Sequence, residues 1–192
     1  MRSTGIGLLI VCGLAVTRLG AAPAAAQCPV TGGPPIPEVQ LAAKVTIQPV
    51  TGGFGNGDDR FKVLKGLFTT TGGFNPMTTD GLAVTLYRNT TANQMVSIAL
   101  PPITNWSSSG PGRYKYNDPT SALGIRRVIV RELSPNLFLL VRILGRNTSL
   151  LNAPLSPGDQ MEVQIEVDHG GFGDCFDQTL MTCTGTTNQQ CH

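Results

Sequence analysis

The sequence predicts an all-β domain, an immunoglobulin-like antiparallel β-sandwich of about eight strands. Three observations predict it. Apolar and polar residues alternate with a period of two in several short stretches, most cleanly in Leu82–Arg88 (LAVTLYR) and Met161–Val167 (MEVQIEV). Turn formers separate these stretches: the 192 residues include 23 Gly and 14 Pro. No stretch sustains a helical period. With 41% hydrophobic and only 14% charged residues, the chain is too apolar to stay disordered.

Residues 1–26 have the form of a cleaved signal peptide: Arg2, an apolar stretch from Ile6 to Val16, and small residues at Ala24 and Ala26. The stretch is shorter than the roughly 20 residues a membrane-crossing helix needs, and no later segment is apolar enough to span a bilayer. The protein is therefore expected to be secreted or periplasmic. Residues 27–57 form an extended, Pro/Gly-rich lead-in. Val39–Val50 within it is open between strand and short helix, and Val45, Ile47 and Pro49 favour a strand.

The sandwich domain occupies residues 58–180. Its strands are expected at Phe61–Thr70, Leu82–Arg88, Met95–Leu100, Arg113–Asn117, Ile125–Leu133, Leu137–Leu144, Met161–Val167 and Cys175–Leu180. Leu137–Leu144 is nearly all apolar, as a central strand would be. Ser134, Pro135 and Asn136 make the hairpin before it. The cysteine-bearing tail, 181–192, is polar and expected to be irregular.

The formal net charge is +2. Without Arg2 and Arg18 the balance is zero, and nothing points to nucleic acid. The charges are unevenly placed: residues 113–146 carry seven Lys or Arg (113, 115, 126, 127, 131, 142, 146) against Asp118 and Glu132, while residues 158–177 carry only acids. Two readings follow, a basic patch for an acidic ligand or cross-strand pairing of a basic strand with an acidic one. We expect the pairing.

Cys28, Cys175, Cys183 and Cys191 follow the signal segment, an even number that reads as two disulfides with three possible connectivities. The favoured arrangement is a local Cys183–Cys191 bridge and a long-range Cys28–Cys175 bridge. An extended run from Cys175 to Cys183 would exceed the disulfide span of roughly 4.4–6.8 Å between Cα atoms.

One ordered series of short segments carries a resemblance: Asp59-Arg60-Phe61-Lys62-Val63, Asp80 to Leu86, Leu100-Pro101 before Trp106, Tyr114-Lys115-Tyr116, Gly124-Ile125 and Gly173-Asp174-Cys175-Phe176. It resembles β-sandwich segments in secreted proteins of environmental Gram-negative bacteria. The resemblance spans roughly residues 58–180 and implies fold and export, with no activity attached to it.

No constellation fixes a reaction, and the protein is not expected to be an enzyme. His169, in the turn DHGGFGD, is a conceivable general base for a secreted hydrolase, and a solvated loop histidine otherwise. Glu162 and Glu166 are expected on a solvated outer face. No cofactor is expected beyond calcium, for which Asp58 and Asp59 in one loop and Asp174 near the last turn are the candidate ligands; turn formation is the plainer role for such residues. Trp106 with Tyr114 and Tyr116 could form a sugar-binding platform or pack in the core. The function expected is an exported binding or structural module. Its partner would be an extracellular protein or glycan, or a second copy through an edge strand.

Overall fold

The computed structural model describes residues 44–70, 72–88, 93–170, 173–177 and 181–192, with 173–177 as backbone alone. The expected signal segment, Cys28 and the Cys175 side chain lie outside the described residues, so the expected Cys28–Cys175 pairing does too. No helix occurs among the described residues, and none is long and apolar enough to cross a membrane.

Twelve strands follow one another: β1 (Lys44–Gln48), β2 (Asp59–Thr69), β3 (Gly81–Arg88), β4 (Gln94–Leu100), β5 (Trp106–Ser108), β6 (Arg113–Asn117), β7 (Ile125–Ser134), β8 (Leu137–Thr148), β9 (Gln160–Asp168), β10 (Gly173–Asp177), β11 (Met181–Thr184) and β12 (Gln189–Cys191). The all-β expectation holds, with twelve strands where about eight were expected. Their pairing is antiparallel throughout and joins them in one curled sheet of order β4-β3-β9-β11-β12-β1-β2-β8-β7-β6-β5, with β10 also paired to β9. An immunoglobulin-like sandwich is not established by these pairings.

The curl brings the two wings of the sheet onto one core. Alternation puts Val45 and Ile47 of β1, Phe61 and Val63 of β2, and Val128 and Val130 of β7 on the inner face. Leu82, Val84 and Leu86 of β3 and Val163, Ile165 and Val167 of β9 belong to the same buried cluster. Each such side chain contributes roughly 1.5–3 kcal/mol on full burial. Close approach is visible at Gly145, where an added Cβ would overlap the Phe61 ring. Gly124, at φ +81°, leaves room for Ile98 of β4 against Thr148 of β8.

The tail departs from expectation. It is not irregular: β11 and β12 splice the two wings. Met181 and Thr182 pair with Met161 and Gln160 of β9, while Cys183 and Thr184 pair with Cys191 and Gln190 of β12. β12 in turn pairs with β1 through Cys191 and Val45. The expected Cys183–Cys191 disulfide is present, across directly opposed residues with Cα atoms 4.0 Å apart. Gln189 is buried beside it and ties down Leu155, accepting from its N–H at 2.7 Å and donating to its carbonyl at 2.6 Å.

Two charge expectations are corrected. The basic strands β7 and β8 pair with each other and with β6 and β2, and the acidic β9 pairs with β3, β10 and β11, so basic and acidic strands are not neighbours. Glu162 and Glu166 do not lie on a solvated face; they are 8% and 7% exposed. Alternation places them opposite the core face of β9, but it does not decide what covers that second face.

Candidate anion-binding face

Positive charge is concentrated on one wing. The chain has 14 Lys and Arg; Arg2 and Arg18 lie outside the described residues, Arg88 lies on β3, and the other eleven all fall on β1, β2, β6, β7 and β8. Those five strands hold two acids, Asp59, which is fully buried, and Glu132 near the end of β7. β9 and β10 hold five acids and no Lys or Arg.

Local backbone geometry turns the cations outward. Plain alternation already turns Lys44, Arg60, Lys62, Arg113 and Lys115 outward; for Lys65, Arg142 and one of Arg126 and Arg127 it would not, but there the alternation slips. On β2 the buried residues run Phe61, Val63, then Gly66 and Phe68, and Lys65 between them has φ +56°. On β8 both Val141 and Arg142 face out between Leu140 and Ile143, and on β7 both Arg126 and Arg127 do so between Ile125 and Val128. Irregular register accompanies the slips on β7. None of the eleven cations is buried.

The register orders them. Lys62 stands opposite Leu144, Leu144 opposite Arg127, and Arg127 opposite Asn117. In the next outward row Lys44, Leu64, Arg142, Ile129 and Lys115 follow one another across five strands. Aliphatic residues thus separate the cations, and the long stems of Arg and Lys can lie over them. The exception is Arg113, directly opposite Arg131. Like charges so placed destabilise a sheet.

Two shallow grooves open on this face. One, of about 290 Å³, is lined by Arg113, Lys115 and Arg131 with Ser109, Tyr114 and Ile129 among its walls. The other, of about 160 Å³, is lined by Arg60, Lys62 and Arg146 with Thr46 and Gln48. Partial burial, and then the charges of Arg126 and Arg60, push the Arg146 guanidinium below its ordinary pKa. Among the described residues none of the eleven cations forms an ion pair; the two such pairs are Arg88–Asp159 at 2.5 Å and His169–Asp80 at 3.1 Å. Arg127 reaches the Asn117 side-chain oxygen at 3.5 Å, and its Nε is buried without a partner.

The expected aromatic site lies elsewhere, in the core. Tyr116 is fully buried and Trp106 6% exposed. Trp106 meets Tyr116 edge-on at 5.4 Å and Phe74 at 5.9 Å, and Phe74 meets Tyr114 at 5.7 Å. The Trp106 indole N–H donates to the Pro101 carbonyl at 3.1 Å. Stacking on sugar needs open ring faces, which Trp106 and Tyr116 do not offer.

The expected calcium ligands are engaged in their own loops. Asp59 Oδ2 accepts from the Gly55 N–H at 2.7 Å and the Leu150 N–H at 2.8 Å, and Asp58 accepts from the Thr51 hydroxyl. The other carboxylate oxygen of each is buried without a hydrogen bond. Asp174 pairs with Val167 on the opposite wing, and no described pairing brings it beside Asp58 or Asp59. No group of three or more His, Cys, Asp or Glu converges among the described residues.

His169 is not a solvated loop residue. Its Nδ1 is 3.1 Å from Asp80 Oδ1 and both side chains are largely buried. Asp80 also accepts from the Asn75 N–H at 2.6 Å and the Thr79 hydroxyl at 3.0 Å.

Sequence reasoning found the basic cluster in residues 113–146 but left out Lys44, Arg60 and Lys62. Their alternation with Val45, Phe61 and Val63 was the available signal. No protein-family model, curated protein or solved structure matches this chain.

Proposed function

We propose that the protein is an exported, non-catalytic binding module that takes an anionic partner on the outer face of β1, β2, β6, β7 and β8. One observation carries the reading. Arg113 and Arg131 are held directly opposite each other, beside Lys115, and neither arginine is in an ion pair among the described residues. A sheet gains nothing in stability from that arrangement; an arriving anion does, because it meets three cations at once.

The test is titration with a sulfated polysaccharide at rising salt. Affinity should fall steeply and linearly with log salt concentration, as expected when bound counterions are released. Arg113→Glu and Arg131→Glu should each weaken binding about tenfold or more at low salt. A protein that ignores polyanions at 20 mM salt is not this module.

A second reading rests on the buried Asp80–His169 pair, which holds the orienter and base of a hydrolase at hydrogen-bond distance. Its test is ester hydrolysis lost in His169→Ala; equal rates in both proteins would remove it. The buried aromatic cluster gives less to a carbohydrate platform.

A further inference from the structure

We infer that the partner is an acidic polysaccharide chain, held at both grooves at once along a diagonal of the sheet. This rests on the anion-binding reading above and names the partner class and the binding mode.

The argument is geometric. The Arg60–Arg146 groove sits over β1, β2 and β8, and the Arg113–Arg131 groove over β6 and β7. Two to three strand spacings and four to five residues along the strands separate their centres, roughly 20 Å in all. The direct line between them passes between Arg127 and Arg142, which flank it from opposite sides by their places in the register. Seven cations therefore mark one path: Arg60, Lys62 and Arg146 at one end, Arg127 and Arg142 in the middle, Arg113 and Arg131 at the other.

The chemistry of the face selects the chain. The core lies on the inner side of the curl, so the outer face is convex and admits a flexible linear polymer along its surface. Single-stranded nucleic acid would call for aromatic side chains on which bases stack; Trp106 and Tyr116 are in the core, and Tyr114, at the groove wall, is packed against Phe74. A membrane surface would call for apolar side chains grouped to insert. Of the large exposed apolar residues only Leu67 and Leu133 lie on these strands, on β2 and β7 with β8 between them. Repeated carboxylates, sulfates or phosphates on a sugar chain need only spaced cations with hydrogen-bonding groups between them, and Thr46, Gln48 and Ser109 line the grooves.

The experiment is a size series of sulfated linear oligosaccharides, from disaccharide to decasaccharide, titrated against the whole protein at constant low salt. Affinity should rise at least tenfold at the length that first spans roughly 20 Å, because the second groove is then engaged intramolecularly, and level off beyond it. Arg60→Gln/Arg146→Gln and Arg113→Gln/Arg131→Gln should each abolish that step and leave disaccharide affinity within about threefold at the untouched groove, with circular dichroism and Tm confirming the fold. A smooth rise with length and no step would overturn the bridging mode while leaving the anion-binding reading standing. Tighter binding to single-stranded DNA or to anionic vesicles than to the longest sugar would overturn the assignment of a polysaccharide. Failure to bind any of these probes would remove the underlying reading as well.

Discussion

At the scale of single residues, burial decides what the aromatic and acidic side chains do. Trp106 sits among Phe74 and Tyr116 with its N–H satisfied, so truncating it removes packing. Trp106→Ala should cost about 3–5 kcal/mol in chemical denaturation, with any change in polyanion binding following the loss of fold. Glu166 behaves differently. Burial first, and the nearby Asp168 charge second, push its carboxyl up to about 7. A carboxyl raised above its unfolded value holds its proton more tightly in the folded state, so its favourable contribution is complete below about pH 4.5 and disappears as pH rises through about 7. Glu166→Gln should therefore flatten the pH dependence of stability over that window and gain on the order of 2 kcal/mol at pH 8. Melting curves at pH 5 and pH 8 check it; an equal gain at both would show that the charge is not the cause. Asp118 runs the other way. The Thr120 hydroxyl at 2.6 Å, and N–H groups of its own turn, hold it below the usual carboxylate range.

At the scale of elements, the strands themselves were legible and their partners were not. Period-two alternation located Arg113–Asn117 to the residue and placed β3, β4, β7 and β9 within a residue at each end. β8 runs on to Thr148 past Gly145, and Gly145 is there because Phe61 of β2 fills the space a side chain would take. That requirement comes from a residue 84 positions earlier and leaves no trace in local pattern. β5, β11 and β12 are three or four residues long, too short for alternation to register. The basic strands were likewise visible, but whether they meet acids depends on strand order. They meet each other. This makes the Arg113–Arg131 pair a strain on the fold, and Arg131→Glu should relieve it, raising stability by about 0.2–1 kcal/mol while weakening polyanion binding. A loss in both measurements would mean that Arg131 is a packing residue.

Across the whole molecule, the sheet separates charge by wing: eleven cations on five strands, and five acids on β9 and β10. A near-zero total hides this, which is why composition alone spoke against electrostatic recognition. Such a separation orients an approaching polyanion before contact, and the effect weakens as the Debye length falls from about 10 Å at 0.1 M salt to about 3 Å at 1 M. The cationic face was half legible: its richest segment stood out in the sequence, while its continuation through Lys44, Arg60 and Lys62 required knowing that β1 and β2 lie beside β8.

The splice at β11 and β12 has a consequence for assembly. β12 is the last of the described strands in chain order, yet it lies between β11 and β1 inside the sheet order. Without β12 nothing joins β11 to β1 in the sheet, and β1 presents an unpaired edge. The polypeptide thus carries its own clasp, held by the Cys183–Cys191 bridge; a truncated copy ending before Gln189 should accumulate as aggregates through that rim.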